Sequence, residues 1–183
     1  MGSWGSSLSG SKGSNYEAVV FFLDYGSTRS SWKVHDNQLR ESLGDLIAFG
    51  SDYAESITEI ERHKNPLVPW LPEMGLFYHE FIVFQTKNWW WSIEKNSEGV
   101  TLQRSKQRGR VLLYRGKTRG DSVEQTHITT LASDSVYPLQ EFVGLLYCSD
   151  VVGSQYNLPF NNCQSFASTV YTKIIRRELP TCF

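Results

Sequence analysis

Acyl-transfer chemistry by a side-chain nucleophile needs a thiol or hydroxyl, a base within hydrogen-bond reach, and a third polar group that orients the base. This chain has the thiols Cys148, Cys163 and Cys182 and the histidines His35, His63, His79 and His127. Cys163 stands apart from the other two cysteines. From it onward apolar residues fall at Cys163, Phe166, Ala167, Val170, Tyr171, Ile174 and Ile175, the stripe of an amphipathic helix with one buried face. Asn162 precedes the stripe as a preferred N-cap, Lys173, Arg176 and Arg177 occupy its last turns, and Pro180 stops it. Cys163 is therefore predicted to open a capped helix on its buried side. A thiol there meets the positive end of the helix dipole and free backbone N–H groups, which favour the thiolate.

The base must come from the histidines. His35 and His63 flank predicted helices among polar residues and read as surface residues. His127 lies on a strand of undecided facing. His79 opens the most apolar strand, where a titratable ring needs a partner. Taken alone it reads as a structural residue; beside a helix-start cysteine it becomes the candidate base.

The elements that would position these residues follow in order. Residues 1–14 are a Gly/Ser leader, predicted to be disordered. Residues 15–183 form one domain, with a helical N-terminal part (15–76) and a core (77–183). Tyr16 to Leu23 reads as a buried strand turned by residues 24–27. Asp36 caps a helix with the stripe Leu39, Leu43, Leu46 and Ile47, ended by Gly50. A second helical stretch opens at Ser51, carries Tyr53, Ile57 and Ile60, and runs to about Lys64. Pro66, Pro69 and Pro72 make a loop that tucks Trp70 against the body.

From Phe77 the period changes to that of strands. Residues 79–85, Trp89 to Glu94 and Val100 to Gln103, separated by turns, form an antiparallel meander. Further strands are expected at Val111–Tyr114 and His127–Leu131, and a helix at Pro138–Tyr147. The fold class is α+β, a meander sheet packed against helices.

With 183 residues, 40% apolar and 14% aromatic, the chain can fill a core and is not of disordered composition. A formal net charge of −1 gives no global pull toward a polyanion. Three cysteines without C-x-x-C spacing argue against a disulfide framework and a cysteine metal site, and make a reducing, cytoplasmic setting the expectation. The sequence calls for no cofactor. No apolar run reaches the ~18 residues of a membrane span. Met1-Gly2-Ser3-Trp4-Gly5-Ser6 fits the N-myristoylation pattern at Gly2, and a plain Gly/Ser leader explains the same residues. The basic run Arg104, Lys106, Arg108, Arg110, Arg115, Lys117 and Arg119 contains no acid and reads as one exposed face. A solvated face accounts for it. The functional reading is an anion or membrane patch, which would supply the second signal that a single acyl chain needs. Trp89, Trp90 and Trp91 lie on a strand that turns two of them to the core, which argues against a nucleic-acid platform.

A histidine at the start of a meander strand, followed much later by Asn-Cys-x-x-Phe at a helix start, resembles the circularly permuted papain-like group. That group includes the lecithin:retinol acyltransferase-like and PPPDE families within the NlpC/P60 clan. The pieces that carry the resemblance are Tyr78-His79-Glu80-Phe81-Ile82-Val83-Phe84, Trp89-Trp90-Trp91-Ser92-Ile93-Glu94 and the stretch from Tyr156 through Asn161-Asn162-Cys163-Gln164-Ser165-Phe166-Ala167. It covers residues 77–175. The resemblance implies Cys163 as nucleophile and His79 as base, acting on an ester, thioester or amide of a lipid or protein. The acyltransferase-like families often carry a second histidine on the next strand, and none occurs here between His79 and His127.

The third group is left open between two residues. An even-length loop at residues 86–89 sets Phe81 opposite Glu94 and puts the Glu94 carboxylate on the face of His79. An odd-length loop turns Glu94 away and favours Gln103. The backbone N–H of Cys163 and Tyr156 are candidate oxyanion donors. The alternatives to an enzyme are an inactive papain-like interaction module and a peripheral membrane adaptor using Gly2 and the basic run.

Overall fold

The computed structural model describes residues 16–26, 29–35, 38, 41–42, 45, 54–66, 78–119, 124–132, 136–148, 151–156 and 162–180. Their strands are β1 (Val19–Tyr25), β2 (Arg29–His35), β3 (Ser56–Ile57), β4 (Glu59–Pro66), β5 (Tyr78–Gln85), β6 (Trp90–Asn96), β7 (Gly99–Ser105), β8 (Glu124–Thr130) and β9 (Tyr137–Pro138). The helices are the single turn α1 (Arg108–Val111), α2 (Leu139–Cys148) and α3 (Cys163–Ile175). Seven strands make one sheet in the order β2-β1-β7-β6-β5-β4-β8, and β3 pairs with β9 in a second. The pairing β1·β7 is parallel and the other pairs are antiparallel. The chain is an α+β protein whose centre is the β5–β6–β7 meander.

The hairpin between β5 and β6 closes through Thr86 N–H donating to Trp89 O at 2.9 Å. That pairs Gln85 with Trp90 and Ile82 with Ile93, the even-length register. Successive side chains on a strand alternate between faces. One face of the sheet gathers Val20, Phe22, Ile60, Ile82, Phe84, Trp91, Ile93, Val100 and Leu102 into the main core. Phe142, Val143 and Leu146 of α2 and Phe166, Ala167 and Val170 of α3 cover it. The other face is polar and yet buried. Phe81 and Val83 meet Val111 there in a small cluster, and Glu61, His63, Ser92, Glu94, Thr101 and Gln103 are buried with them. The β6–β7 turn needs glycine at Gly99, which has φ +147 and whose added Cβ would lie 2.9 Å from Val19 O.

Two predicted elements are corrected. The helix expected from Ser51 to Lys64 is instead β3 and β4, the latter paired with β5 and β8. Both faces of β4 are covered, so Glu61 and His63 are buried and the apolar alternation of a strand is missing from the sequence. The spacing of Ile57 and Ile60 then mimics a helical stripe. Pro66, assigned to the loop, ends β4 opposite Tyr78. Val111–Tyr114, expected as a strand, is the end of α1 followed by a turn in which Tyr114 bridges Lys117.

After α3 the chain returns along α2. The Tyr137 hydroxyl donates to Glu178 O at 3.0 Å, and a Cβ on Gly144 would meet Pro180 at 2.9 Å. Cys148, at the end of α2, is disulfide-bonded, whereas the sequence reading expected reduced cysteines. Cysteine spacing does not encode long-range pairing, which accounts for the difference. No helix among the described residues is long and apolar enough to cross a membrane. The leader with Gly2, the predicted helix carrying Leu39, Leu43, Leu46 and Ile47, Trp70, and residues 157–161 lie outside the described residues.

Candidate active site

Asn162 caps α3 as the sequence predicts. Its Oδ1 accepts from Gln164 N–H at 2.9 Å and Ser165 N–H at 3.0 Å, while Ser165 Oγ accepts from Asn162 N–H at 3.0 Å. This capping box satisfies the first orphan donors of the helix and fixes the direction in which Cys163 leaves it. Cys163 is 4% exposed and is the free cysteine among the described residues. The helix start rests on the beginning of β5. The Cys163 thiol lies 3.9 Å from Tyr78 O, and Gln164 Nε2 donates to the same oxygen at 3.3 Å.

That contact brings the thiol to His79. The two side chains lie close enough to shift each other's titration, and the Glu80 backbone and the Tyr156 side chain act on the sulfur as well. Tyr156 lies close enough to Cys163 for its own titration to be shifted in turn. On the far side of the ring, His79 Nε2 lies 2.6 Å from Glu94 Oε2. With Nε2 donating to the carboxylate, the nitrogen that meets Cys163 is Nδ1. The even register of the β5–β6 hairpin places Glu94 on this face, and the alternative, Gln103, is engaged elsewhere. Its amide donates to Ser92 Oγ and Leu113 O, each at 2.9 Å, and its oxygen accepts from Arg115 N–H at 2.9 Å. Gln103 braces the loop after α1.

Glu94 is itself held. Arg119 Nη1 donates to Glu94 Oε2 at 2.9 Å and Nη2 bonds Oε1, a bidentate pair in which both side chains are almost fully buried. Arg119 Nε donates to Leu112 O at 2.8 Å, and its guanidinium lies 4.0 Å over the Phe81 ring. The sequence reading missed this role. The signal available to it was a carboxylate expected to be buried on β6, since a buried anion requires a cation; nothing local says which of seven cations supplies it.

Charges in this cluster displace one another's titration. Burial pushes the Glu94 carboxyl up, but Arg119 and His79 outweigh it and hold the group at about 2. Burial would lower His79; its hydrogen bonds to Cys163 and Glu94 and their negative charges raise it to about 9. Burial likewise raises the Cys163 thiol, and His79, the Glu80 N–H and Tyr156 bring it below its ordinary value. Tyr156, buried beside that sulfur, is pushed up to about 12 and keeps its proton. Each of Cys163 and His79 thus favours the charged form of the other.

The stability that Glu94 contributes is present above its ordinary 4.5 and lost as pH falls through about 2. That of His79 is complete below 6.5 and lost as pH rises through about 9. Alkylation of Cys163 by iodoacetamide is therefore expected to remain near its maximum well below pH ~8.5, where a free thiol loses about tenfold in rate per pH unit. A profile that climbs like a free thiol's would remove the ion pair.

The other sequence candidates are placed as follows. His35 and His127 are exposed, as is consistent with surface residues, but His63 is buried and bonds Glu61 Oε2 at 2.6 Å through Nε2. The basic run is not one exposed face. Arg104 is buried and pairs with Asp24 at 2.7 Å, and Arg119 is buried on Glu94. Arg108 pairs with Glu61 at 2.6 Å and Arg115 with Glu98 at 3.2 Å. Lys106, Arg110 and Lys117 remain exposed. The acids that take the arginines come from elsewhere in the chain, so a window free of acids gave the wrong picture.

Comparisons with protein-family models, with curated proteins and with solved structures return no match to this chain.

Proposed function

We propose that this chain is an acyl-transfer enzyme of the permuted papain-like kind, a thiol hydrolase or acyltransferase with Cys163 as nucleophile. One observation carries the reading. A helix-start thiol sits beside a histidine whose Nε2 lies 2.6 Å from a buried carboxylate, and these groups come from α3, β5 and β6. A buried array of two acids and two bases is costly to assemble, and perturbed titrations of this kind cluster at functional sites.

In the first half-reaction the Cys163 sulfur forms a bond to the carbonyl carbon of an ester, thioester or amide. The negative charge on the former carbonyl oxygen is taken by the Cys163 N–H and the Tyr156 hydroxyl. The bond to the leaving group breaks as His79 Nδ1 delivers its proton to that group, leaving an acyl-enzyme. In the second half-reaction Nδ1 removes a proton from water or an acceptor alcohol or amine, whose oxygen or nitrogen bonds the acyl carbon as the C–S bond breaks. Glu94 keeps Nε2 protonated throughout, and Arg119 keeps Glu94 ionised.

The test uses an electrophilic thiol probe followed by peptide mapping. Cys163 is expected to be labelled far faster than any other cysteine at pH 7, and His79→Ala is expected to suppress that labelling by about 10²-fold or more. Equal labelling before and after the substitution would leave an interaction module or membrane adaptor as the account of this fold.

A further inference from the structure

Lys95 is fully buried on β6. An ammonium ion out of water must place its N–H donors, and three contacts of Lys95 go to a single turn. Nζ lies 3.1 Å from Val151 O, 2.5 Å from Ser154 O and 2.9 Å from Ser154 Oγ. The turn is sealed from both ends. Val151 and Val152 are buried in the main core, and the Tyr16 hydroxyl donates to Val152 O while its ring lies 4.8 Å from Lys95 Nζ. Two residues after Ser154 comes Tyr156, whose side chain lies beside Cys163.

We infer that Lys95 is a positioning residue for Tyr156, fastening the turn from which the hydroxyl reaches Cys163. The inference rests on the acyl-transfer reading of that cysteine. Its neighbour on the strand, Glu94, points to the opposite face and holds His79. Adjacent residues of β6 thus mount the two devices an acyl transfer requires. Glu94 orients the base from the polar face, and Lys95 orients the oxyanion donor from the apolar one. The rigid alternation of a strand sets their separation, which suits a site that tolerates errors of only about 0.5 Å.

The experiment reads the pH profile of Cys163 alkylation by iodoacetamide in Lys95→Met, Tyr156→Phe and the double variant, beside His79→Ala. Tyr156→Phe is expected to slow alkylation at pH 6 by roughly fivefold to tenfold, as one hydrogen bond to the thiolate is lost. Lys95→Met is expected to reproduce the shift of that profile, and the double variant to show no further change. Should Lys95→Met fail to fold, Ser154→Ala removes one acceptor while leaving the lysine in place. It is expected to give a smaller shift that also vanishes in the Tyr156→Phe background. Additive losses in either pair, or a wild-type profile in Lys95→Met, would overturn the inference while leaving the nucleophile assignment standing. A profile indifferent to His79→Ala would overturn the acyl-transfer reading, and the inference with it.

Discussion

Cys163→Ala and the double variant Cys163→Ala/His79→Ala are expected to hydrolyse an activated ester such as 4-nitrophenyl acetate at the same residual rate, and His79→Ala alone to lose about 10²–10⁴-fold. Residues that act as one unit do not lose activity additively. In the proposed mechanism the imidazolium favours the thiolate beside it, and a thiolate must precede it in the reaction. With the sulfur gone, nothing is left for His79 to serve. Measured kcat/KM values for the three variants decide the matter. Losses that multiply in the double variant would mean that the two side chains work separately, against their mutual effect on each other's titration.

Glu94→Gln is expected to be the most damaging conservative substitution in the protein. It leaves the Arg119 guanidinium, 6% exposed, facing a neutral amide in place of the carboxylate that now pairs with it. Breaking a buried pair from one side costs about 3–5 kcal/mol, whereas removing both charges together costs much less. Chemical denaturation should therefore show Glu94→Gln less stable than the pair Glu94→Gln/Arg119→Met, although the second has lost more native atoms. Reactivity should separate the two effects. Without an anion at Nε2 the imidazole loses both its tautomer and its raised titration, so thiol alkylation at pH 6 should fall in both variants alike. Loss of the acidic partner of a catalytic histidine costs about 10⁴-fold in a serine protease, which sets the scale for ester turnover. Restored stability with unrestored reactivity is the expected signature of Glu94 acting through His79. Recovery of both together would make the carboxylate a structural residue only.

How much of this was legible depends on whether a residue's partner is near in sequence. The α3 start was readable because capping is local: Asn162 lies one residue from the helix and three from Ser165, and both of its bonds are seen. The β5–β6 register was readable because it depends on the parity of a four-residue loop, which left one binary choice between Glu94 and Gln103. Strand β4 was not readable. Its buried residues Glu61 and His63 are polar, neutralised by each other and by Arg108, so they carry no hydrophobic period. Arg119 was misread for the same reason, since its partner lies 25 residues back on another element. The disulfide at Cys148 was not readable, because irregular cysteine spacing does not encode pairing.

On the proposed acyl-transfer reading, the placement of the thiol also dictates when it becomes reactive during synthesis. Tyr78 and Cys163 touch across 85 residues of chain, and α3 follows all of the other described elements. The β5–β6–β7 meander has only local contacts to make and can form early, whereas the β1·β7 pairing closes a long loop, with Asp24 and Arg104 meeting across 80 residues. His79, Glu94 and Arg119 can therefore come together on the emerging sheet while Cys163 is still being made. Until α3 docks, the thiol keeps the ordinary value of about 8.5 and stays mostly protonated. The half-made chain carries a base without a nucleophile, and the thiolate arises with the last described element to fold.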